Sequence, residues 1–178
     1  IIIDYKKKNY KVIVVSSAMS GVTNELIKKS FEISDSFSES EHDVLVSSGE
    51  QVSCSLIAGR LIHEGYESRS WLSWQVPILT KGKYKNSRIN QINKKNITKY
   101  LEKGGIPIIT GFQGLNDENR ITTIGRGGSD ASAIMIAKFF KAERCIIYTD
   151  VEGVYTTDPN KLKNAKKIKV ISYEEMLE

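Results

Sequence analysis

The order of apolar and polar residues along the chain follows two periodicities. Short apolar runs, "KVIVVS" at 11–16 and "IPIITG" at 106–111, are typical of buried strands. In other segments apolar residues recur every three or four positions, which predicts helices over 22–33 and from Gly49 to about Leu61. This alternation predicts an α/β fold in which helices cover a mostly parallel sheet.

The remaining segments predict shorter elements. In chain order these are a loop over 34–43, strands over 44–47 and 68–72, an irregular stretch over 81–96, a helix over 97–103, a β-hairpin around Asn116 and Asp117, a helix with Ala133, Ile136, Ala137 and Phe140 on its inner face, a strand over 145–149, and a helix capped by Ser172 and Glu175. No repeat or domain boundary is evident, so a single domain is predicted over 1–178.

Composition narrows the class of protein. No apolar run approaches the roughly 20 residues of a membrane span, so we expect no membrane segment and a cytoplasmic protein. The net charge is +5, but its lysines are scattered among acidic residues. Without a nucleic-acid-binding motif, this pattern argues against a nucleic-acid partner, whereas a basic surface suits a small anionic substrate.

Cysteine and histidine suggest no metal chemistry. Cys54 and Cys145 both lie in apolar segments, which predicts buried, reduced thiols. His42 and His63 have no Cys or His at ligand spacing, so neither a structural zinc nor a histidine-based triad is expected. The chain opens on three isoleucines without a Met, from which we expect a buried first element with further sequence upstream.

A glycine-rich loop, "GRGGSD" at 125–130, carries the first chemical signal. Glycines let backbone N–H groups approach an anion, and the start of the following helix favours negative charge. Arg126 adds a planar fork for a carboxylate or phosphate. Asp130 would repel an anion, so it suits a substrate ammonium, a lysine or a magnesium ion. The loop fits a zwitterion or a metal–phosphate, with a plain tight turn as the alternative.

Three further polar loops follow predicted strands. They are "SSAMSGVTN" at 16–24, "SSGEQ" at 47–51 and "YTDVEGVYTTDP" at 148–159. The glycine-rich loop matches neither a Walker A loop nor a dinucleotide fingerprint. Ligands of open α/β sheets bind beyond the carboxyl ends of the strands, so the four loops together predict one composite site.

These segments resemble a known family. "VIVVSSAMSGVTNEL", "LVSSGEQVS", "ITTIGRGGSDASA" and "IYTDVEGVYTTDP" are similar to the catalytic domain of aspartokinases, within the amino-acid kinases, and the likeness covers nearly the whole chain. The resemblance implies a three-layer α/β/α sandwich with a mostly parallel sheet. It also implies phosphorylation of the side-chain carboxylate of L-aspartate by ATP with Mg²⁺, the step that opens lysine, diaminopimelate, threonine and methionine biosynthesis.

The resemblance also implies residue roles. Arg126 would hold the α-carboxylate of aspartate, Glu50 its ammonium group, and Asp130 would orient a catalytic lysine. The other implied substrate contacts are Ser17, Thr23, Phe112, Gly127, Gly128 and Ser129. The implied nucleotide contacts are Thr149, Asp150, Tyr155, Thr156, Thr157, Asp158, Pro159, Asn160 and Lys161. Two alternatives stay open, because Phe112 would also suit the core and Ser17 a helix cap.

The sequence departs from the family in its cations. The lysine–glycine–glycine segment that contacts ATP phosphates in aspartokinases is not in this sequence, and Asn160 stands where the family has an arginine. Two hypotheses therefore remain: a catalytic core that acts with flanking sequence, or a non-catalytic remnant that binds a ligand or a partner chain. A kinase of glutamate or its acetylated form is less consistent with Glu50 and "TTDP". The family tends to form dimers or larger assemblies, which leaves a homo-oligomer open.

Overall fold

The computed structural model describes residues 1–125, 127–149, 156, 164–166 and 168, and the chain forms two compact units, Ile1–Ala142 and Glu143–Glu178. The helices of the first unit are α1 (Ile2–Lys7), α2 (Val22–Ile33), α3 (Glu39–His63), α4 (Lys95–Glu102) and α5 (Gly128–Phe140). Its strands are β1 (Val14–Ser16), β2 (Ser68–Trp71), β3 (Ile78–Lys83), β4 (Asn86–Ile92), β5 (Ile106–Thr110), β6 (Gln113–Leu115) and β7 (Ile121–Thr123). No helix among the described residues has both the length and the hydropathy to cross a bilayer.

A parallel sheet with the order β1–β5–β2 lies at the centre of the first unit. Every residue of β5 is buried, as its apolar sequence predicts. Ile106 and Ile108 pack in one cluster with residues of α3, whereas Ile109 joins a second cluster with Ile97 of α4 and Ile136 of α5. Helices therefore cover both faces of this sheet, and the predicted α/β fold is confirmed.

A second, mixed sheet has the order β4–β3–β6–β7. The predicted hairpin is confirmed, because β6 and β7 pair antiparallel on either side of Asn116. The irregular stretch predicted over 81–96 is wrong, since β3 and β4 form an antiparallel hairpin whose last pair is Lys83 with Asn86. Only one face of β4 is buried, at Ser87 and Ile92, and its polar outer face hides the strand pattern.

Helix α3 corrects two predictions at once. The loop over 34–43 ends at Ser38, and the strand over 44–47 does not exist, because 39–63 form one helix. The buried residues of α3 recur at helical spacing from Asp43 through Glu50 to Leu61. Several of these buried residues are polar, so a prediction from apolar periodicity alone places the start of the helix too late, at Gly49 instead of Glu39.

The first residues of the chain and residues 145–149 differ from the predictions. Helix α1 has no fully buried residue, and Ile2 and Ile3 only border the cluster beneath α3, so the buried start is wrong. Cys54 is buried as predicted, but Cys145 is exposed. The predicted strand over 145–149 is wrong, because these residues do not have strand conformation, and Tyr148 is 61% exposed. The predicted cap of Ser172 and Glu175 lies outside the described residues.

Candidate active site

A cavity of about 580 Å³ opens in the first unit. Its wall contains eight of the predicted site residues: Ser17, Thr23, Glu50, Phe112, Gly127, Gly128, Ser129 and Asp130. The wall also contains Ala18, Asn24 and Gly125 from the predicted loops, together with four residues that the sequence did not single out for the site: Ile27, His42, Lys85 and Thr123. The loop after β1, the middle of α3, the β3–β4 turn and the start of α5 therefore form one site. The segment "SSGEQ" belongs to α3 rather than to a loop after a strand.

Glu50 is a buried acid of this cavity, and its pKa is strongly shifted. Its side chain projects from α3, and Gly49 beside it allows close packing, because a Cβ there would lie 2.9 Å from the Cβ of Ala18. Oε1 of Glu50 accepts a hydrogen bond from the Ala18 N–H at 3.1 Å. Oε2 is buried and has no partner in the part of the chain that the structure describes. Burial raises the pKa of Glu50 from 4.5 to about 7, although the Ala18 bond opposes the shift.

The start of α5 supplies a second acid. Gly127 is the N-cap residue with a φ of 73°, a conformation that glycine adopts freely. The Gly128 N–H donates to the Gly125 carbonyl at 3.0 Å and is therefore engaged within the loop. Asp130 lies in the first turn, half-buried, and burial raises its pKa. The positive end of the helix favours a negative charge at this place.

Phe112 occupies a strained position in the wall. Its φ is 65°, in a region that aromatic residues rarely adopt. Two hydrogen bonds hold its backbone there: its N–H donates to Ser132 Oγ at 3.0 Å, and its carbonyl accepts from the Ile124 N–H at 2.8 Å. Phe112 is half-buried and lines the cavity rather than belonging to either core cluster.

The loop after β1 holds Ser17 and Thr23 at the cavity. The Ser17 carbonyl accepts from Ser53 Oγ at 2.6 Å, which ties the loop to α3. The N-cap of α2 is Gly21, so the alternative that Ser17 caps this helix is wrong. Thr23 stands in the first turn of α2 and is half-buried.

The model of the family described as "Amino acid kinase family" matches residues 1–178. The chain belongs to the amino-acid kinase family. It is 51% identical over 174 residues to the aspartokinase of Rickettsia conorii. The aligned region covers 96% of this chain and 43% of that protein. The sequence-based resemblance to aspartokinases is thus confirmed, and the chain spans less than half the length of this curated relative.

Two solved aspartokinases share the fold of this amino-acid kinase chain. The structure of Escherichia coli aspartokinase III in complex with aspartate and ADP matches with a TM-score of 0.74 and 25% identity, over 88% of this chain and 46% of that one. Synechocystis aspartate kinase matches with a TM-score of 0.72 and 36% identity, over 93% of this chain and 27% of that one.

His42 and Lys85 line this amino-acid kinase site, and the sequence analysis missed both for a definable reason. His42 and Glu50 both lie on α3, eight residues or about two turns apart, so they share one face of the helix. A strand predicted between them hid this relation. Lys85 lies in the β3–β4 turn, within the stretch predicted to be irregular. For His42 a signal was available, because Asp43, Val46, Glu50 and Cys54 have the spacing of one continuous helix.

The second unit contains the predicted nucleotide contacts. Thr149 and Thr156 are described and exposed, and Thr156 exchanges hydrogen bonds with Lys166 through its N–H at 3.0 Å and its Oγ1 at 3.1 Å. The other predicted nucleotide contacts lie outside the described residues: Asp150, Tyr155, Thr157, Asp158, Pro159, Asn160 and Lys161. The same holds for Arg126 of the first unit, which has a predicted substrate role. The nucleotide roles therefore stay predictions.

Gly128→Ala is expected to weaken ligand binding at the cavity. The new Cβ would lie 2.7 Å from Phe112 Cδ2 and 3.1 Å from Ile124 Cβ, so the Phe112 ring must move. We expect a loss of about 1–3 kcal/mol in the free energy of unfolding. Urea denaturation measures the loss of stability, and titration with the substrate proposed below measures the loss of binding. The control is Gly59→Ala in α3, where a Cβ meets nothing within 4 Å and stability should rise slightly. Equal behaviour of the two variants would contradict the expected clash.

Proposed function

We propose that this chain is the catalytic part of an aspartate kinase, which transfers the γ-phosphoryl group of MgATP to the side-chain carboxylate of L-aspartate. The observation that carries the proposal is the buried Glu50 carboxylate, whose Oε2 lacks a partner among the described residues. The similarity to aspartokinases, one of them solved with aspartate and ADP, supports it. The product is 4-phospho-L-aspartate, which feeds amino-acid biosynthesis.

Glu50 is proposed to bind the substrate ammonium. A carboxylate that is 3% exposed and only half satisfied is unfavourable unless a cation joins it. An ammonium group carries three donors and a positive charge, so it fits the unpaired Oε2. A ligand with this group would let Glu50 ionise at neutral pH. Arg126 is proposed to bind the α-carboxylate, as the family resemblance implies.

The reaction needs no general base. A side-chain carboxylate has an ordinary pKa near 4 and is already a nucleophile at pH 7. The protein's work is to align the two substrates and to neutralise the transferred phosphoryl group. Magnesium would enter with the nucleotide substrate, where it would neutralise charge on the phosphate groups. Asp130, at the start of α5, is proposed to orient a cation next to the reacting groups.

The proposal is tested by trapping the acyl phosphate. The chain is mixed with MgATP, L-aspartate and hydroxylamine, and we expect aspartyl hydroxamate above background. Asp130→Asn should lower its formation by about 100-fold, whereas Asp117→Asn, an exposed turn residue, should not. L-aspartate binding is measured separately by calorimetry. If the chain binds L-aspartate but forms no hydroxamate, the result would favour the non-catalytic alternative. If it shows no binding and forms no product, the result would contradict the proposal. Cytoplasmic location and a homo-oligomer stay predictions.

A further inference from the structure

Lys85 has an unusual backbone conformation at the wall of the cavity. It is one of two residues that join β3 to β4, and its φ is 63°. Glycine adopts this conformation freely, whereas a lysine there is uncommon. A residue held in such a region by its surroundings is a reason to look for a function in its side chain.

The fully buried Asp43 holds Lys85 in this conformation. The Lys85 N–H donates to both carboxylate oxygens of Asp43, at 3.2 Å and 3.0 Å. The same carboxylate accepts from the N–H and the Oγ1 of Thr123, both at 2.8 Å. The turn is thereby fixed to α3 and to β7 by one side chain that is 0% exposed. The position of the Lys85 backbone is determined by the core rather than by the hairpin alone.

Lys85 lines the same cavity as Glu50 and Asp130. Of the described residues in that wall, it is the one with a permanent positive charge. The turn also abuts the glycine loop, because a Cβ on Gly125 would lie 2.9 Å from Asn86 Oδ1. The Lys85 ammonium is 4.0 Å from the Glu39 carboxylate, and both side chains are well exposed, so this pair contributes little. The ammonium is therefore available to a ligand.

We propose that Lys85 binds the side-chain carboxylate of the amino-acid substrate and so distinguishes an acidic side chain from its amide. The inference rests on the proposed function. L-aspartate brings one ammonium and two carboxylates into the cavity, and Glu50 offers a partner for the ammonium only. With Arg126 proposed for the α-carboxylate, the second carboxylate still needs a cation, which Lys85 supplies from a fixed backbone position.

The test compares L-aspartate with L-asparagine, which lacks only the negative side-chain charge. Dissociation constants are measured by calorimetry for the unaltered chain, Lys85→Gly and Lys85→Arg. Lys83→Ala, on the exposed end of the same hairpin, is the control. We expect Lys85→Gly to weaken L-aspartate binding about tenfold and to leave L-asparagine binding within twofold. Lys85→Arg should keep most of the preference. Because glycine suits the φ at this position, the melting temperature of Lys85→Gly should not fall.

Each other outcome overturns the inference. Unchanged L-aspartate binding by Lys85→Gly would overturn it and leave the proposed function intact. An equal loss for both ligands would mean that Lys85 shapes the cavity without selecting the charge. A loss as large for Lys83→Ala would assign the effect to the general field of the hairpin. No L-aspartate binding by the unaltered chain would overturn the proposed function and the inference together.

Discussion

Glu50→Gln is expected to abolish L-aspartate binding and, at pH 8, to make the ligand-free protein more stable. Glutamine keeps the shape and the acceptor for the Ala18 N–H. It lacks the charge that would attract an ammonium, so we expect at least a 100-fold rise in the dissociation constant. The ionised carboxylate is costly to bury, and its removal should add on the order of 1–3 kcal/mol to the free energy of unfolding at pH 8.

The sign of the pH dependence follows from the direction of the pKa shift. Glu50 has a pKa of about 7 in the folded protein against 4.5 for the unperturbed group. The folded state therefore keeps a proton that the unfolded chain releases between these values. The contribution of Glu50 to stability is complete below about 4.5 and is lost as the pH rises through 7. Glu50→Gln should remove this part of the pH profile.

Ligand binding should show the opposite trend. A bound ammonium favours the ionised carboxylate, so L-aspartate affinity should rise as the pH increases from about 5.5 to 7.5. Binding near pH 7 should release a proton, which calorimetry in two buffers of different ionisation enthalpy detects. Glu32→Gln, an exposed helical position, is the control for both measurements. A flat affinity profile, or a variant that still binds L-aspartate, would contradict the role proposed for Glu50.

Local sequence patterns predicted the elements whose own residues carry a clear apolar pattern. The run at 106–111 identified the buried β5, and the spacing from Val22 identified α2 without error in its bounds. The glycine loop was singled out from its own residues, and the family resemblance added roles for Glu50 and Phe112. The structure places these two side chains and the described residues of the loop around one cavity. In these segments, propensity and apolar periodicity agree with the tertiary structure.

The missed elements depend on partners that are distant in sequence. Asp43 is the last residue of the polar run at 34–43, and it is buried because its partners, Lys85 and Thr123, lie 42 and 80 residues further along the chain. A polar residue with such partners is compatible with the core but breaks the apolar pattern. Both His42 and Lys85 lie next to this acid in the chain or in space. No local rule places them in the cavity, because the contacts that do so are tertiary.

Asp43→Ala is expected to lower the free energy of unfolding by about 3–5 kcal/mol. The change removes the acceptor for the Lys85 N–H, the Thr123 N–H and Thr123 Oγ1, and it leaves buried donors without partners. It also frees the β3–β4 turn from α3, so the strained φ of Lys85 loses its main support. Urea denaturation measures the loss, and Asp35→Ala on an exposed loop should change stability by less than about 0.5 kcal/mol.

Asp43→Asn separates the charge from the shape of this contact. The amide keeps one acceptor oxygen but replaces the other with a donor that faces donors, so we expect a loss close to that of Asp43→Ala. Where the variant is still folded, its preference for L-aspartate over L-asparagine should decrease as in Lys85→Gly, because the turn is no longer fixed. A loss below about 1 kcal/mol for both Asp43 variants would mean that water replaces the carboxylate. The core would then not be what holds Lys85 at the cavity.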